Sequence, residues 1–508
     1  MTMRLSPKCW GVLLALAAVA LYLPTLGYDF VYDSAVQVQI DDFIHQPRHF
    51  LDVLSLRVLG MDVLDFNRPV NLFTLLVDAL FWDKNPAGYR LTNLLLHGAT
   101  VLLLFRWLRV ITGQLWPALL AALAFAVHPL QCETVVEVGY REDLLATLFL
   151  LAGMNAAAAF QPGEKGKTWL PPLLTVASLF LAAASKETGI AGPPLLVVFW
   201  LLFRRNQPWR AWGLLATATT AAVGTFYALR FALEPKPSLI FTGLPQAIAP
   251  PGIDWLLVQV RIWSAEFLRI LWPTHLCVDY GPYTLRNMDG FLALLCVLTL
   301  GIAQAVLCIW NRKTAMASAL FWAALLPVAN LIPIYHPMAD RYLYMPLAGV
   351  ALLLAFALAG LRPGRVRSSA LATTLGAIAA LATLTLQQQT AWKDDATLWR
   401  ATARENPVSF NAWLGQGYAC LDRGNPTEAL AHFQHASALA YEKNAEAFAG
   451  MALALDALRQ PGQAAEKLEV ATKLDSRYAR PDTLVRALVF PAYLAQRFSL
   501  IALRARQP

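Results

Sequence analysis

LTNLLLHGATVLLLFRWLRVITGQLWPALLAALAFAVHPLQCETVVEVGYREDLLATLFLLAGM, residues 91–154, holds three apolar stretches, at about 91–108, at 115–131 and from 143 onward. The loops between them differ in character: the first carries Arg106 and Arg109, the second Glu133, Glu137, Arg141, Glu142 and Asp143. Apolar stretches near span length, with Lys and Arg kept to every other loop, mark a polytopic membrane protein whose basic loops face the cytoplasm. The alternation runs through the chain. Eleven stretches are expected to span: these three, the last ending near 160, and others at about 10–27, 170–185, 189–203, 211–231, 291–310, 317–333, 343–361 and 369–387. Basic residues mark one set of loops at Arg4 and Lys8, Lys165 and Lys167, Arg204, Arg205 and Arg210, Arg312 and Lys313, and Arg362, Arg365 and Arg367. The other set holds Asp29, Asp33, Asp41 and Asp42, then Lys186 and Glu187, then His336, Asp340 and Arg341. Function is therefore sought on the non-cytoplasmic side.

Composition agrees. With 57% apolar and 15% charged residues, the chain is far from the roughly 25% charge of a soluble globule. The net charge of +8 lies in short basic loops, where it orients helices, and no basic patch with interleaved aromatics points to nucleic acid. The six cysteines show no metal-ligand spacing. Cys132 and Cys277 both fall in expected external segments, which leaves a disulfide between them open.

The first stretch follows a basic head and runs into Leu21-Tyr22-Leu23-Pro24 without a clear cleavage site, so a retained anchor with a cytoplasmic N-terminus is expected. Residues 255–271, WLLVQVRIWSAEFLRIL, contain Arg261, Glu266 and Arg269, each costing a few kcal/mol in lipid. An interfacial or protein-buried helix within a long external loop, 232–290, accounts for them. In the first external loop, 28–90, RPVNLFTLLVDALFW reads as an amphipathic helix on the membrane surface.

Hydropathy drops near residue 390. Aligning Ala429 with Ala464, Phe433 with Leu468 and Ala436 with Ala471 gives a period of 35, one more than the roughly 34-residue tetratricopeptide repeat. Trp413 and Gly417 take its large and small packing positions, with Phe448 and Ala452 as counterparts. The chain thus divides into a membrane domain, 1–390, and a repeat domain, 391–508, with repeats at about 410–443 and 445–478 and helical flanks at 390–408 and 479–505. The fold class is an all-α polytopic membrane protein with a C-terminal α-solenoid.

Three places, FVYDSAVQVQIDD with RPVNLFTLLVDALFWDKNPAGYRLTNLLLH, HPLQCETVVEVGYREDLLATLFLL, and HPMADRYLYMPLAGV, occur in order with SKETG, AWKDDATLW and the terminal repeats. Together they resemble the transmembrane and tetratricopeptide repeat O-mannosyltransferases and their bacterial relatives in the type C glycosyltransferase superfamily. The resemblance implies a membrane enzyme that moves a sugar, mannose by the nearest likeness, from a polyprenyl phosphate to an acceptor hydroxyl on the extracytoplasmic face. It implies a protein acceptor or partner on the repeats. The Ala- and Arg-rich usage with short loops suggests a bacterial inner membrane, with the repeats periplasmic.

Inverting sugar transfer needs a carboxylate to take the acceptor proton and cations to hold the departing phosphate. Asp33, in FVYDS, is expected as the base, against the plainer reading of a loop acid or helix cap. Ser34 stands where the resemblance places a second acid, so a divalent metal stays open and no cofactor is assigned. Arg341, Arg141 and Arg68 are the expected phosphate ligands, since Arg binds two oxygens at once and stays charged. Each has an alternative as a helix anchor or as a partner of Asp340 or Asp143. Asp41, Asp42, His128, Glu133, His336, Asp340 and Tyr342 are expected substrate contacts, although both histidines precede a proline that stops a helix. Tyr89, Asn93 and His97 form a stripe that either faces a cavity or packs between helices. Lys186 and Glu187 read as an ion pair closing a tight turn. No Walker loop, HExxH or CxxC pair is present. A flippase of lipid-linked sugars and a membrane-anchored repeat scaffold are the competing classes.

Overall fold

The computed structural model describes residues 6–162, 169–234, 253–280, 289–332, 334, 336–440, 444–479 and 497–501. Its α-helices of eight residues or more, in chain order, are α1 (Pro7–Tyr22), α2 (Pro69–Trp82), α3 (Pro86–Thr112), α4 (Leu115–Ala126), α5 (Arg141–Ala159), α6 (Leu170–Ser185), α7 (Gly192–Phe199), α8 (Trp209–Leu233), α9 (Ile253–Leu271), α10 (Gly290–Trp310), α11 (Thr314–Leu325), α12 (Tyr344–Gly360), α13 (Arg365–Gln388), α14 (Asp395–Glu405), α15 (Phe410–Asp422), α16 (Pro426–Leu439), α17 (Ala445–Ala457) and α18 (Pro461–Leu474). No strand occurs among the described residues.

The chain forms two compact units: residues 1–28, 43–274 and 288–390, and residues 29–42, 275–287 and 391–508. In the first unit, the apolar stretches read from the sequence are largely helical, and that at 317–333 leaves the helix after Val328. Among the described residues, seven helices are long and apolar enough to cross a membrane, and an eighth if α4 and Pro129–Val136, bent by 55° across the break at Val127-His128, count as one. α6, Thr314–Val328 and Pro346–Gly360 are apolar but shorter. The chain is a multi-pass membrane protein.

Helix chemistry explains several joins. Pro69, Pro86 and Pro193 sit in the first turns of α2, α3 and α7, where the missing N–H costs nothing. Gly113 ends α3 at φ +71°. Where α6 meets the turn Glu187–Ala191, Gly189 lies so close to Ala182 that a Cβ would stand 2.3 Å from its backbone. α9 is one-sided: Gln259, Ile262, Ala265 and Glu266 are buried, and Leu256, Leu268 and Leu271 are exposed. It stacks Phe267 on Phe321 of α11 at 5.7 Å.

The second unit contains two helical hairpins, α15–α16 and α17–α18, whose bounds are offset by 35 residues. Phe433 is fully buried between them; a Cβ on either Gly417 or Gly450 would meet its ring at 2.5 Å. α14 covers the first hairpin, with Trp399 against Gly415. The flank 479–505 lies outside the described residues except at 479 and 497–501. Cys132 and Cys277 are not joined by a disulfide.

Candidate functional site

The loop His128–Asp143, external by sequence, is folded into the first unit, and every residue in it is buried. Polar groups of α3 hold it. Arg90 donates to the carbonyls of Val136 (3.2 Å) and Tyr28, and Asn93 Nδ2 to those of Val135 (3.3 Å) and Glu137 (3.4 Å). His97 shares a hydrogen bond with the Tyr344 hydroxyl (2.8 Å), and the Tyr89 hydroxyl donates to the Asp83 carbonyl (2.7 Å). The stripe is therefore packing between helices.

This scaffold supports a cluster of buried charge. Arg341 Nη1 donates to Glu133 Oε1 at 2.5 Å and its backbone N–H to Oε2 at 2.8 Å. The guanidinium lies 3.9 Å over the Tyr140 ring and 5.1 Å from that of Tyr342. The Tyr342 ring also faces Lys186, at 5.7 Å. Lys186 pairs with Asp143 (2.5 Å) and Glu142 (3.6 Å), while Arg68 pairs with Glu142 (3.0 Å), Asp65 (3.0 Å) and Glu187 (3.4 Å). Glu187 in turn pairs with Arg230 of α8 at 3.0 Å. Adjacent in sequence, Lys186 and Glu187 were expected to pair with each other and instead serve different partners. Lys186 is extended, at φ −158° and ψ 157°, which turns the two side chains apart.

Access is uneven. The Arg68 and Glu187 side chains are 23% and 26% exposed, whereas those of Glu142, Lys186, Asp143 and Arg341 are at most 6%. Burial works to lower the Arg68 pKa, but Glu187, Glu142, Asp65 and Asp143 outweigh it and hold it well above the ordinary value. The cations already face carboxylates, so an entering phosphate must displace one.

The structure brings together Glu133, Arg341, Tyr342 and His336, the last through its carbonyl, which accepts from the Tyr342 hydroxyl at 3.0 Å. Burial, helped by the charge of Arg341, pushes the His336 imidazole down to about 3, so it is neutral at physiological pH. Asp340 is buried in the turn Asp340–Leu343. Arg141 departs from expectation. Rather than being open to a ligand, it is fully buried, pairs with Asp78 at 2.6 Å and donates to Asn93 (2.6 Å), the Tyr89 carbonyl (2.9 Å) and Thr74 (3.4 Å). Its donors are spent on tying α2, α3 and α5 together. His128 accepts from Leu130 N–H (3.3 Å) and faces the Ile270 carbonyl (3.1 Å), capping the turn that follows it.

Sequence reading passed over Arg230 and Asp65, gave Glu142 no role and offered Asp143 only as a partner for a neighbouring Arg. An Arg in the last turn of an apolar helix is costly enough in lipid to have flagged the first. Glu266, flagged on that ground, is buried with both carboxylate oxygens unpartnered. Burial pushes it up to about 8, and Asp340 adds to this against Arg269, so it carries a proton at neutral pH.

Asp33, Asp41 and Asp42 belong to the second unit. There FVYDS docks on the AWKDDATLW segment. Asp29 N–H donates to the Lys393 carbonyl (3.0 Å), Tyr32 N–H to Asp395 (3.0 Å), and the Tyr32 ring meets Trp399 edge-on at 5.3 Å. Tyr32 has a left-handed backbone, φ +52°, a strain of about 1–3 kcal/mol held immediately before Asp33. Ser34 is buried, its hydroxyl accepting from Val31 N–H (3.2 Å) and donating to the Val31 carbonyl (2.8 Å). Asp41 is half-buried and Asp42 exposed.

For a metal, the described residues offer one group, Cys420, Glu428 and His432, with ligating atoms within 4.8 Å. No spacing rule revealed it, because it joins α15 to one face of α16. Arg400 and Arg423 line the same cavity and oppose a cation there.

Fold and site thus define a multi-pass, all-α membrane protein with a protein-buried cluster of charge and a unit of repeated helical hairpins. In sequence it is a relative of proteins named protein O-mannosyl-transferases. It is 25% identical to TMTC3 of Mus musculus over 409 residues, covering 73% of this chain and 44% of that one. To F38B6.6 of Caenorhabditis elegans it is 24% identical over 445 residues, 84% of this chain and 62% of the other. To Tmtc3 of Drosophila melanogaster it is 28% identical over 454 residues, 73% and 48%. The chain spans about half the length of the curated relatives it matches. No family model matches it. Among solved structures it is similar to ArnT from Cupriavidus metallidurans bound to undecaprenyl phosphate, at 15% identity and a TM-score of 0.42 over 99% of this chain and 90% of that one.

Proposed function

We propose that the chain is a membrane glycosyltransferase that moves a sugar, mannose by the names of its relatives, from a polyprenyl phosphate to an acceptor hydroxyl, most simply on protein. The observation that carries the reading is sequence similarity to protein O-mannosyl-transferases through 73 to 84% of the chain. The buried cluster supports it, because Arg68 and Arg341 supply fixed positive charge for a leaving phosphate where water is scarce. In the reaction the acceptor oxygen bonds to the anomeric carbon, the bond from that carbon to the phosphate oxygen breaks, and the acceptor proton passes to a carboxylate, for which the sequence nominates Asp33. A single displacement of this kind inverts the sugar. Arg68, at the open corner, meets the phosphate; Arg341, held by Glu133 and the Tyr140 ring, acts behind it. Arg141 serves as a positioning residue. The charge alternation supports a cytoplasmic N-terminus and an extracytoplasmic repeat unit, and the Ala- and Arg-rich usage with short loops supports a bacterial inner membrane.

The test is Asp33→Asn, which keeps shape and removes the base. Transfer from a polyprenyl phosphate sugar is expected to fall about 100- to 10,000-fold with donor binding unchanged. Wild-type turnover would refute Asp33 as base.

A further inference from the structure

α1 and α3 leave between their basic ends a groove of about 630 Å³, within the roughly 300–1,000 Å³ of sites that enclose a small ligand. Gly11, Val12, Leu102 and Phe105 form its apolar wall, and Lys8, Arg106 and Arg109 stand around it. Gly11 sets the approach of the helices, since a Cβ there would come within 2.7 Å of Leu102 and 3.2 Å of Phe105. Lys8 lies in the first turn of α1; Arg106 and Arg109, three residues apart on α3, share a face. All three are exposed, and among the described residues none of them has an ion-pair partner. Trp10 and Trp116 meet edge-on at 5.4 Å at the same end, the ring type enriched where bilayer meets water. The groove is remote from the charge cluster: sixteen residues of α3 separate Arg90 from Arg106, or about 24 Å along the axis.

We infer that this groove holds one anionic phospholipid, an acyl chain along the apolar wall and its phosphate on Lys8, Arg106 and Arg109. Three unpaired cations over an apolar slot at interfacial depth repel one another until an anion enters, and a phospholipid supplies phosphate and hydrocarbon in that order along the membrane normal. At roughly fivefold per basic residue, the three favour an anionic over a zwitterionic headgroup by on the order of 100-fold. The inference needs only that the chain sits in a bilayer and is independent of the transferase reading.

The test is native mass spectrometry of the full-length protein in detergent, titrated with dioleoylphosphatidylglycerol or dioleoylphosphatidylcholine. One phosphatidylglycerol is expected to stay bound where phosphatidylcholine is stripped. The triple variant Lys8→Ser, Arg106→Gln, Arg109→Gln should lose it, Lys8→Arg with Arg106→Lys and Arg109→Lys should keep it, and Val12→Trp, which fills the slot and spares the charges, should lose it. A matched variant elsewhere, Arg312→Gln, Lys313→Gln, Arg365→Gln, should keep it. Equal loss in both charge-removal variants, equal retention of the two lipids, or retention in Val12→Trp would overturn the site. Displacement of the lipid by equimolar undecaprenyl phosphate would overturn its assignment to a phospholipid.

Discussion

Removing the carboxylate of Glu133 takes from the buried Arg341 the acceptor of both its guanidinium and its backbone N–H. The two side chains are 2% and 6% exposed, and Glu133 accepts both the guanidinium, at 2.5 Å, and the Arg341 backbone N–H, at 2.8 Å. Breaking one side of such a buried pair costs about 3–5 kcal/mol, because the surviving ion keeps its desolvation penalty. Glu133→Ala should therefore destabilise by about that much. Glu133→Gln, which retains an acceptor oxygen but not the charge, should cost about 1.5–3 kcal/mol. Pairing Glu133→Leu with Arg341→Met removes both charges, and part of the loss should return. What does not return is the stacking of Arg341 on Tyr140, about 0.5–2 kcal/mol. The measurement is a double-mutant cycle from denaturant unfolding in micelles, followed by tryptophan fluorescence. A cost below about 1 kcal/mol for Glu133→Ala, or a double variant no more stable than the single, would refute a buried, mutually dependent pair. The functional corollary has the opposite sign: Glu133→Gln frees Arg341 from its competitor, so polyprenyl phosphate should bind the variant more tightly.

His336 has its folded pKa pushed down to about 3 from an ordinary 6.5, so the unfolded chain binds the extra proton first; its contribution is whole above pH 6.5 and falls away as pH drops toward 3, and His336→Gln should flatten that part of the stability profile. Asp395→Ala removes the acceptor of Tyr32 N–H and should free the strained FVYDS turn by about 1.5–3 kcal/mol, read as faster amide exchange at Tyr32; unchanged exchange would mean that Asp395 does not hold the turn. Phe433→Ala should cost the hairpin unit about 3–5 kcal/mol, seen as an earlier unfolding step, because the cavity is lined by the rigid backbone at Gly417 and Gly450.

Much of the architecture is local and so could be read from the chain. Apolar runs fold as helices whatever they later touch, prolines and glycines mark their ends, and a repeat of 35 residues returns as two hairpins with that offset. Glu266 was legible as a problem, a carboxyl among apolar residues, and the fold resolves it by burial and protonation. Partner choice was not legible. Lys186 and Glu187 are neighbours in sequence but answer to Asp143 and to Arg68 and Arg230, and Arg141 looks like a headgroup ligand until α2 closes over it with Asp78. Sequence supplied the charges, since residue type and hydropathy are properties of each position and its near neighbours. Which carboxylate meets which cation, and that FVYDS rests on Asp395 and Trp399 more than 360 residues away, was decided only when tertiary packing set distances of a few ångströms between segments remote along the chain.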